Sequence, residues 1–585
     1  MSPSTPIISI NKMSVQYDET DHPVLHDINL QINQGELVLL CGPTGSGKST
    51  FAQVLNGLIP YTTPAEITGE ITVCGIDPRT STTPDMARDV GLVFQDPEGQ
   101  LCTLFLEDEI AFGPENLKVP KEELEVRVNS LLELISLKHF RYESVFELSG
   151  GQKQKVNIAS VLSMQPKVLV FDMPTANLDP VGSMEVFKVI RNLVNNEATT
   201  CIVIENRLDE LVQMADRIVI LTQDGTIAYD GLPAEVFKNG QDIMDNLGVE
   251  LPQVVELAVR LQEAGLNKQT DGKIPLTTDI AAEWMGTLID SGQIEIIGAS
   301  EVPVVEKIDE PENIVQVKDV HFSYGKGPEI LKGVSFEMEK GEMLAIVGNN
   351  GSGKTTLVKQ FVGLLEPTSG KIKVCGLEAR KANLSEIAAR AAYVFQYPDH
   401  QFVAQGQSVF DEIAFNLRAI GESEEYVKEM VDVLIDRCQL TGKESVSPFM
   451  LSGGEMRLVS VACMLSTKPE LLILDEPTYG QDRKRITALM YRLSELLKSG
   501  TSVIMISHDM RLVAEYATKV LLLSFGKIEY FGSPEGLFEQ PELLQKAALR
   551  EPPMCAMLRN LRDKGYAFPK GITTTSAFMR AIKVN

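Results

Sequence analysis

The sequence predicts an α/β protein written twice: two bodies with mostly parallel sheets, each carrying a helical insert and followed by a small helical tail. Three observations predict it. Distinctive blocks recur in register about 300 residues apart across the 585-residue chain. Short apolar strands run into glycine-rich loops and then into helical patterns. A chain this long exceeds what one hydrophobic core supports.

The repeat can be followed along the chain. "GPTGSGKST" at 42–50 returns as "GNNGSGKTT" at 348–356. "VFQDPEGQL" at 93–101 returns as "VFQYPDHQF" at 394–402. "LSGGQ" at 148–152 returns as "LSGGE" at 451–455, and "VLVFDMPTANLD" at 168–179 as "LLILDEPTYGQD" at 471–482. The tails "LPQVVELAVRLQEAGL" (251–266) and "EPPMCAMLRNLRDKGY" (551–566) correspond, and each runs on to a Thr pair and a short apolar helix. The expected domains are bodies at 7–245 and 313–545 and helical extensions at 246–300 and 546–585. The acidic segment "EVPVVEKIDEPE" (301–312), with two prolines, reads as an extended linker. The stretches from about 100 to 165 and from 402 to 467 read as mostly helical inserts, each ending at an "LSGG" turn.

Composition narrows the function classes. The net charge of −26 opposes the counterion release that drives nucleic-acid binding. It also disfavours attachment to an anionic membrane by charge alone. No apolar run reaches the roughly 18 residues of a membrane span, and "MSPSTPIISINK" predicts no secretory leader. The eight cysteines are scattered without a C-x-x-C pair, so buried reduced thiols are expected rather than metal or disulfide frameworks.

Both glycine-rich loops fit G-x-x-x-x-G-K-[ST] between a strand and a helix. Gly42, Gly45 and Gly47, and Gly348, Gly351 and Gly353, let backbone N–H groups turn inward around phosphate oxygens. Lys48 and Lys354 reach the β- and γ-phosphates, Ser49 and Thr355 offer a hydroxyl to Mg²⁺, and Thr50 and Thr356 complete the ATP-binding loops. Asp172 and Asp475 end buried strands where a hard cation wants a carboxylate. Gln95 and Gln396 follow "VF" strands, where an amide can contact the metal and the attacking water. Ser149 and Gly151, and Ser452 and Gly454, belong to small anion-binding turns at helix N-termini.

With these motifs in order, and "SHD" at 507–509 downstream, the chain resembles the ATP-binding cassette (ABC) ATPases, with two nucleotide-binding domains fused in tandem. The resemblance covers about 7–245 and 313–545. It implies a mixed-sheet core plus helical subdomain in each body, and ATP and Mg²⁺ as ligands. It also implies an intramolecular pseudo-dimer in which each ATP lies between the phosphate loop of one half and the signature turn of the other. Tyr17 and Tyr324 occupy the places where this family stacks an aromatic ring on adenine.

The resemblance makes the two composite sites unequal. One takes Lys354, Thr355, Gln396, Asp475, Glu476 and His508, with Ser149 and Gly151 in trans; Glu476 is placed to polarise water and His508 to contact the γ-phosphate. The other has Met173 for the glutamate, Asn206 for the histidine, and a facing signature with Glu455 for Gln. The expectation is one hydrolytic site and one that binds Mg-ATP but hydrolyses it poorly, unless Glu205 substitutes as base.

The segments "EDEIAFGPENL" and "FDEIAFNLR", and the tails "LTTDIAAEWM" and "TTTSAFMRAI", resemble the energising ATPases of energy-coupling factor (ECF) importers. That resemblance implies ATP-driven uptake of a vitamin or transition-metal ion, at the cytoplasmic face of the membrane. The partners would be a transmembrane scaffold subunit and a substrate-binding membrane subunit, without nucleic acid. Asp96, Glu98, Gln100, Asp399 and Gln401 are then candidate coupling residues. The alternatives are the fused ATPase of a sugar-type importer and a soluble tandem translation or repair factor. The transported substrate is not legible.

Overall fold

A computed structural model of the chain describes residues 6–18, 20–175, 178–197, 199–266, 274–298, 312–403, 407–478 and 481–585. Residues 301–311 of the expected linker lie outside this set. The chain divides into two compact units, Met1–Thr287 with Val584, and Leu288–Lys583 with Asn585.

In the first unit a six-stranded sheet runs in the order Val90–Val93, Val168–Asp172, Thr200–Ile204, Leu37–Cys41, Arg217–Leu221, Ile227–Gly231. The first five strands are parallel and the last is antiparallel. The central strands "LVLLC", "VLVFD" and "TCIVI" are buried at every position. Burial on both faces explains why they read as unbroken apolar runs rather than alternating ones. One face packs against a separate antiparallel sheet of Leu25–Ile32, Ile8–Tyr17 and Ala65–Val73, through Met13, Phe51 and Ile71. The other face carries the helix Pro180–Glu197 and, from the tail, Leu251 together with Val255 and Ala258 on the helix Gln253–Glu263. Helices Leu106–Asn116, Lys121–Leu134 and Gly150–Leu162 form the insert, with their own core around Ile110, Leu132 and Val156.

The second unit repeats the plan. Its six-stranded sheet is ordered Ala391–Val394, Leu471–Asp475, Ser502–Ile506, Met343–Val347, Lys519–Ser524, Lys527–Gly532. Its antiparallel sheet has four strands, the last being the two-residue Leu377–Glu378.

Register sets the functional edge. Leu40 and Asp172 both stand opposite Ile204. Ile346 and Asp475 both stand opposite Ile506. The strand before each glycine loop therefore ends level with the acidic strand two places away. In open α/β sheets ligands bind at these carboxyl ends.

Candidate functional site: two phosphate loops of unequal chemistry

Each glycine loop is closed by its own lysine. Lys48 Nζ is buried and donates to the carbonyls of Gly42 (2.8 Å) and Pro43 (2.7 Å). Lys354 Nζ does the same to Gly348 (2.8 Å) and Asn349 (3.0 Å). Only glycine suits the hinge positions. Gly348 has φ +148°, and a Cβ there would lie 2.0 Å from the Leu523 carbonyl oxygen. Gly47 and Gly353 adopt left-handed φ at the N-caps of Lys48–Leu55 and Lys354–Phe361, where a Cβ would strike Leu25 or Leu331. At Gly45 and Gly351 the space is nearly open, and the left-handed φ alone selects glycine. Tyr17 Oη lies 2.8 Å from Thr50 Oγ1, and Tyr324 Oη 3.3 Å from Thr356 Oγ1. Each tyrosine is thus moored to the helix that follows its loop, and the Tyr324 ring is largely exposed.

Beside the second loop, Asp475 Oδ2 accepts from Thr355 Oγ1 (3.0 Å) and from Tyr393 Oη (2.7 Å). Beside the first, burial raises the Asp172 carboxyl above the usual range, with Ser49 and Lys48 opposing that rise. The next residue carries the difference between the halves. Glu476 and Met173 share a left-handed backbone, φ +46° and +47°. Each donates its N–H to the neighbouring strand, at Ile506 (3.1 Å) and Ile204 (3.0 Å). The scaffold is therefore common to both halves, and only the side chain differs. Glu476 Oε1 lies 3.2 Å from His508 Nε2, both side chains nearly enclosed. Met173 instead packs on the apolar core.

Glu205, the alternative base, is turned toward Thr175. Its Oε1 accepts from Thr175 N–H (3.1 Å) and Thr175 Oγ1 (2.5 Å). Burial raises its carboxyl to about 7, against opposing bonds from Thr175 and the charge of Arg207. A folded pKa above the unfolded value of about 4.4 means that the native state binds the proton more readily. Stability from this group is fully present below that unfolded value and is lost as pH rises through about 7. Glu205→Gln keeps an acceptor for Thr175 and removes the titration. It is expected to melt like the parent near pH 5 and above it at pH 8, by roughly 1–3 kcal/mol. Equal melting at both pH values would contradict this reading.

The signature turns cap helices Gly150–Leu162 and Gly453–Leu465. Ser149 N–H donates to Gln152 Oε1 (2.8 Å), and Ser452 N–H to Glu455 Oε2 (3.0 Å). Gln152 and Glu455 therefore perform one capping-box task, so Glu455 is a structural equivalent of Gln and not by itself a defect. Ser149 is exposed; Ser452 Oγ accepts from Arg485 Nη1 (3.2 Å), whose side chain covers Gly454.

The glutamine loops differ from expectation. Gln95 and Gln396 sit half-buried at the sheet edge. Gln100 and Gln401, expected to meet a partner, turn inward: Gln100 Oε1 accepts from Phe94 N–H (2.9 Å), and Gln401 Nε2 donates to the Ser460 carbonyl (2.7 Å). Asp96 caps the turn at Glu98 and Gly99, while Glu98 pairs with Lys153 (2.5 Å) and Asp399 is exposed. Two residues escaped sequence reasoning, Tyr393 on Asp475 and the buried Arg457. The repeat contained a signal for both, since Leu92 and Gln154 occupy their places in the first half.

The sequence profile of the ABC transporter family matches the chain twice, at 25–176 and 331–479. A relative from Caldanaerobacter subterraneus, provisionally named an ABC transporter ATP-binding protein, is 38% identical over 95% of this chain and 96% of its own. A Bacillus subtilis relative, provisionally named the HMP/thiamine import ATP-binding protein YkoD, is 36% identical over 93% of this chain and 95% of its own. A solved structure described as cbiO1 of Clostridium perfringens, part of the ABC transporter complex cbiONQ, is 30% identical. It covers 43% of this chain and all of that one, with TM-score 0.38.

Proposed function

The chain belongs to the ABC transporter ATPases as a tandem ATP-binding protein, and from that premise we propose that it powers an ECF-type importer of a micronutrient, a vitamin or a transition-metal ion. Bodies at 7–245 and 313–545 bind ATP, and the extensions at 246–300 and 546–585 complete each half. On this reading each ATP would be shared between the phosphate loop of one half and the signature turn of the other, as the family resemblance implies.

The single observation that carries the reading is the Glu476–His508 pair beside Asp475 and Thr355, set against Met173 on the same left-handed backbone as Glu476 and Asn206 at the sequence position matching His508. In the second-half site Lys354 and the loop amides hold the phosphates. Tyr324 carries adenine, and Ser149 and Gly151 close over the nucleotide in trans. Glu476 accepts the proton of the attacking water, and His508 holds Glu476 and meets the γ-phosphate. In the first-half site Gly42, Gly45, Gly47, Lys48, Ser49, Thr50 and Tyr17, with Ser452 and Gly454 in trans, bind ATP without a base.

The donor set fits Mg²⁺. Thr355 Oγ1 already touches Asp475 at 3.0 Å, with Gln396 at the same sheet edge; Ser49, Asp172 and Gln95 repeat the set. Burial raises the Asp172 carboxyl, and a bound cation would oppose that rise. When bound, Mg²⁺ would neutralise charge on the transferred phosphoryl group.

A membrane partner is supported by the helical inserts. Among the described residues of the first, Leu104, Phe105, Tyr142 (74% exposed) and Phe146 (64%) present apolar surface. They share one region, since Phe105 bridges Ser144 and Val145 N–H donates to the Leu104 carbonyl. Phe415, Phe449 and Met450 are exposed on the second insert. No helix among the described residues is long and apolar enough to cross a membrane. On the importer reading, a transmembrane scaffold subunit and a substrate-binding membrane subunit hold the chain at the cytoplasmic face. Acidic charge supports no nucleic-acid role. The B. subtilis relative's name supports a vitamin-related cargo.

Tyr142→Asp with Phe146→Asp tests this reading. The double variant is expected to bind ATP normally but to lose co-purification with the small integral membrane proteins that accompany the parent chain. Retained co-purification would overturn the assignment of this surface to the membrane partner, and co-purification of the parent with ribosomal RNA alone would overturn the importer reading.

A further inference from the structure

The signature helix of the second half, Gly453–Leu465, carries a cation into the interior. Arg457 is 2% exposed. Its Nη1 donates to the Phe395 carbonyl and its Nη2 to the Gln396 carbonyl. Asp475, Glu476 and Tyr393 lie within electrostatic reach of it, and burial lowers its ionisation to about 10. Among the described residues no carboxylate is paired directly with it by a salt bridge. Burying a cation without a bonded anion is costly unless other groups satisfy it. Here two backbone carbonyls of the glutamine loop do so, assisted by the charge of the neighbouring carboxylates.

The first half is built differently at the same place. Gln154 occupies the Arg457 position and is buried, and among the described residues neither its Oε1 nor its Nε2 has a hydrogen-bond partner. The first signature helix reaches its glutamine loop further along, through Lys153 to Glu98 (2.5 Å) and Asn157 to the Pro97 carbonyl (3.0 Å). That brace holds the turn after the loop, while Arg457 holds the glutamine itself.

We propose that Arg457 is a positioning residue for hydrolysis: it clamps Gln396 to the second-half signature helix and so transmits the state of the Ser452 turn to the hydrolytic site of the same half. Ser452 caps the helix, Arg457 lies on its second turn, and Gln396 and Glu476 stand at the sheet edge beside it. No equivalent clamp runs from Ser149 to Gln95. Coupling then runs one way, from the nucleotide on the Ser452 turn to turnover at Glu476. This inference rests on the hydrolytic assignment of the second half.

The test is a double-mutant cycle in the full chain, with turnover, nucleotide binding and hydrogen exchange read together. Arg457→Gln, which copies the first half, is expected to lower kcat roughly 10- to 100-fold, as small misplacements of catalytic groups do. ATP affinity should stay within about twofold of the parent. Amide exchange at 395–397 should quicken while that of the 348–356 loop does not. Arg457→Lys should recover part of kcat. In a Gln396→Ala background the Arg457→Gln loss should vanish, because both changes break one unit. Gln154→Ala should leave turnover unchanged. Unchanged kcat in Arg457→Gln, or losses that multiply with Gln396→Ala, would overturn the proposal. If Arg457→Gln fails to fold, Arg457→Lys decides it: full parental kcat with unchanged exchange at 395–397 contradicts the clamp. Failure of the hydrolytic assignment would show separately, as Glu476→Gln retaining turnover.

Discussion

Glu476→Gln is expected to lower steady-state ATP turnover by about 10²- to 10⁴-fold, the usual cost of losing a positioned base, whereas Met173→Ala leaves it within about twofold. The geometry makes the comparison clean. Residues 173 and 476 share the left-handed φ and the same backbone bond to the adjacent strand. Substitution at either position therefore perturbs a similar backbone, and any difference in effect reports on chemistry. Glutamine preserves the size of Glu476 and can still meet His508, so nucleotide binding should survive. Met173 has only apolar neighbours to lose, which costs some stability but no proton acceptor. Comparable losses of turnover from both variants would refute the asymmetry.

Gly348→Ala should be a severely damaging single-methyl change. The new Cβ would lie 2.0 Å from the carbonyl oxygen of the buried Leu523, a backbone atom of the strand Lys519–Ser524 that cannot yield cheaply. The φ of +148° adds conformational strain that L residues rarely tolerate. The loop must open or the strand must shift, and either misplaces Lys354, which is held by the Gly348 carbonyl itself. Loss of ATP binding by the second half is expected, with destabilisation of several kcal/mol, on the order of the larger overpacking penalties. Gly351→Ala provides the contrast. Its Cβ meets open space, so only left-handed strain of about 1 kcal/mol remains and binding should persist. Isothermal titration of both variants separates steric from conformational cost; equal binding by the two would contradict the account.

Much of this was legible because phosphate loops announce themselves by backbone need. Glycine at 42, 47, 348 and 353 and lysine at 48 and 354 satisfy local geometry that any sequence must meet in the same way. The repeat then showed where one half departs from the other, at Met173 and Asn206. Long-range polar contacts were not legible in that way. Nothing local says that Tyr393, in the strand "AAYV", reaches Asp475, 82 residues on. Nor does spacing reveal that Arg457 turns inward to Gln396 and not outward to solvent. Conversely, Gln100 and Gln401 looked like surface groups by position, yet Gln100 accepts from the Phe94 N–H of its own loop and Gln401 donates to the Ser460 carbonyl of the signature helix. Glu455 looked like a lost glutamine, yet a carboxylate oxygen accepts the cap N–H as well as an amide oxygen does. Motif spacing captures what the backbone requires; side-chain direction is set by the tertiary environment.

The central claim is that two nucleotides are held and only one is cleaved. The most direct measurement loads the full chain with ATP and Mg²⁺, removes free nucleotide rapidly, and identifies what remains bound per chain across a single turnover. One ATP persisting intact while a second becomes ADP is the predicted result. Two nucleotides converting to ADP at similar rates, or only one nucleotide bound in total, would contradict it.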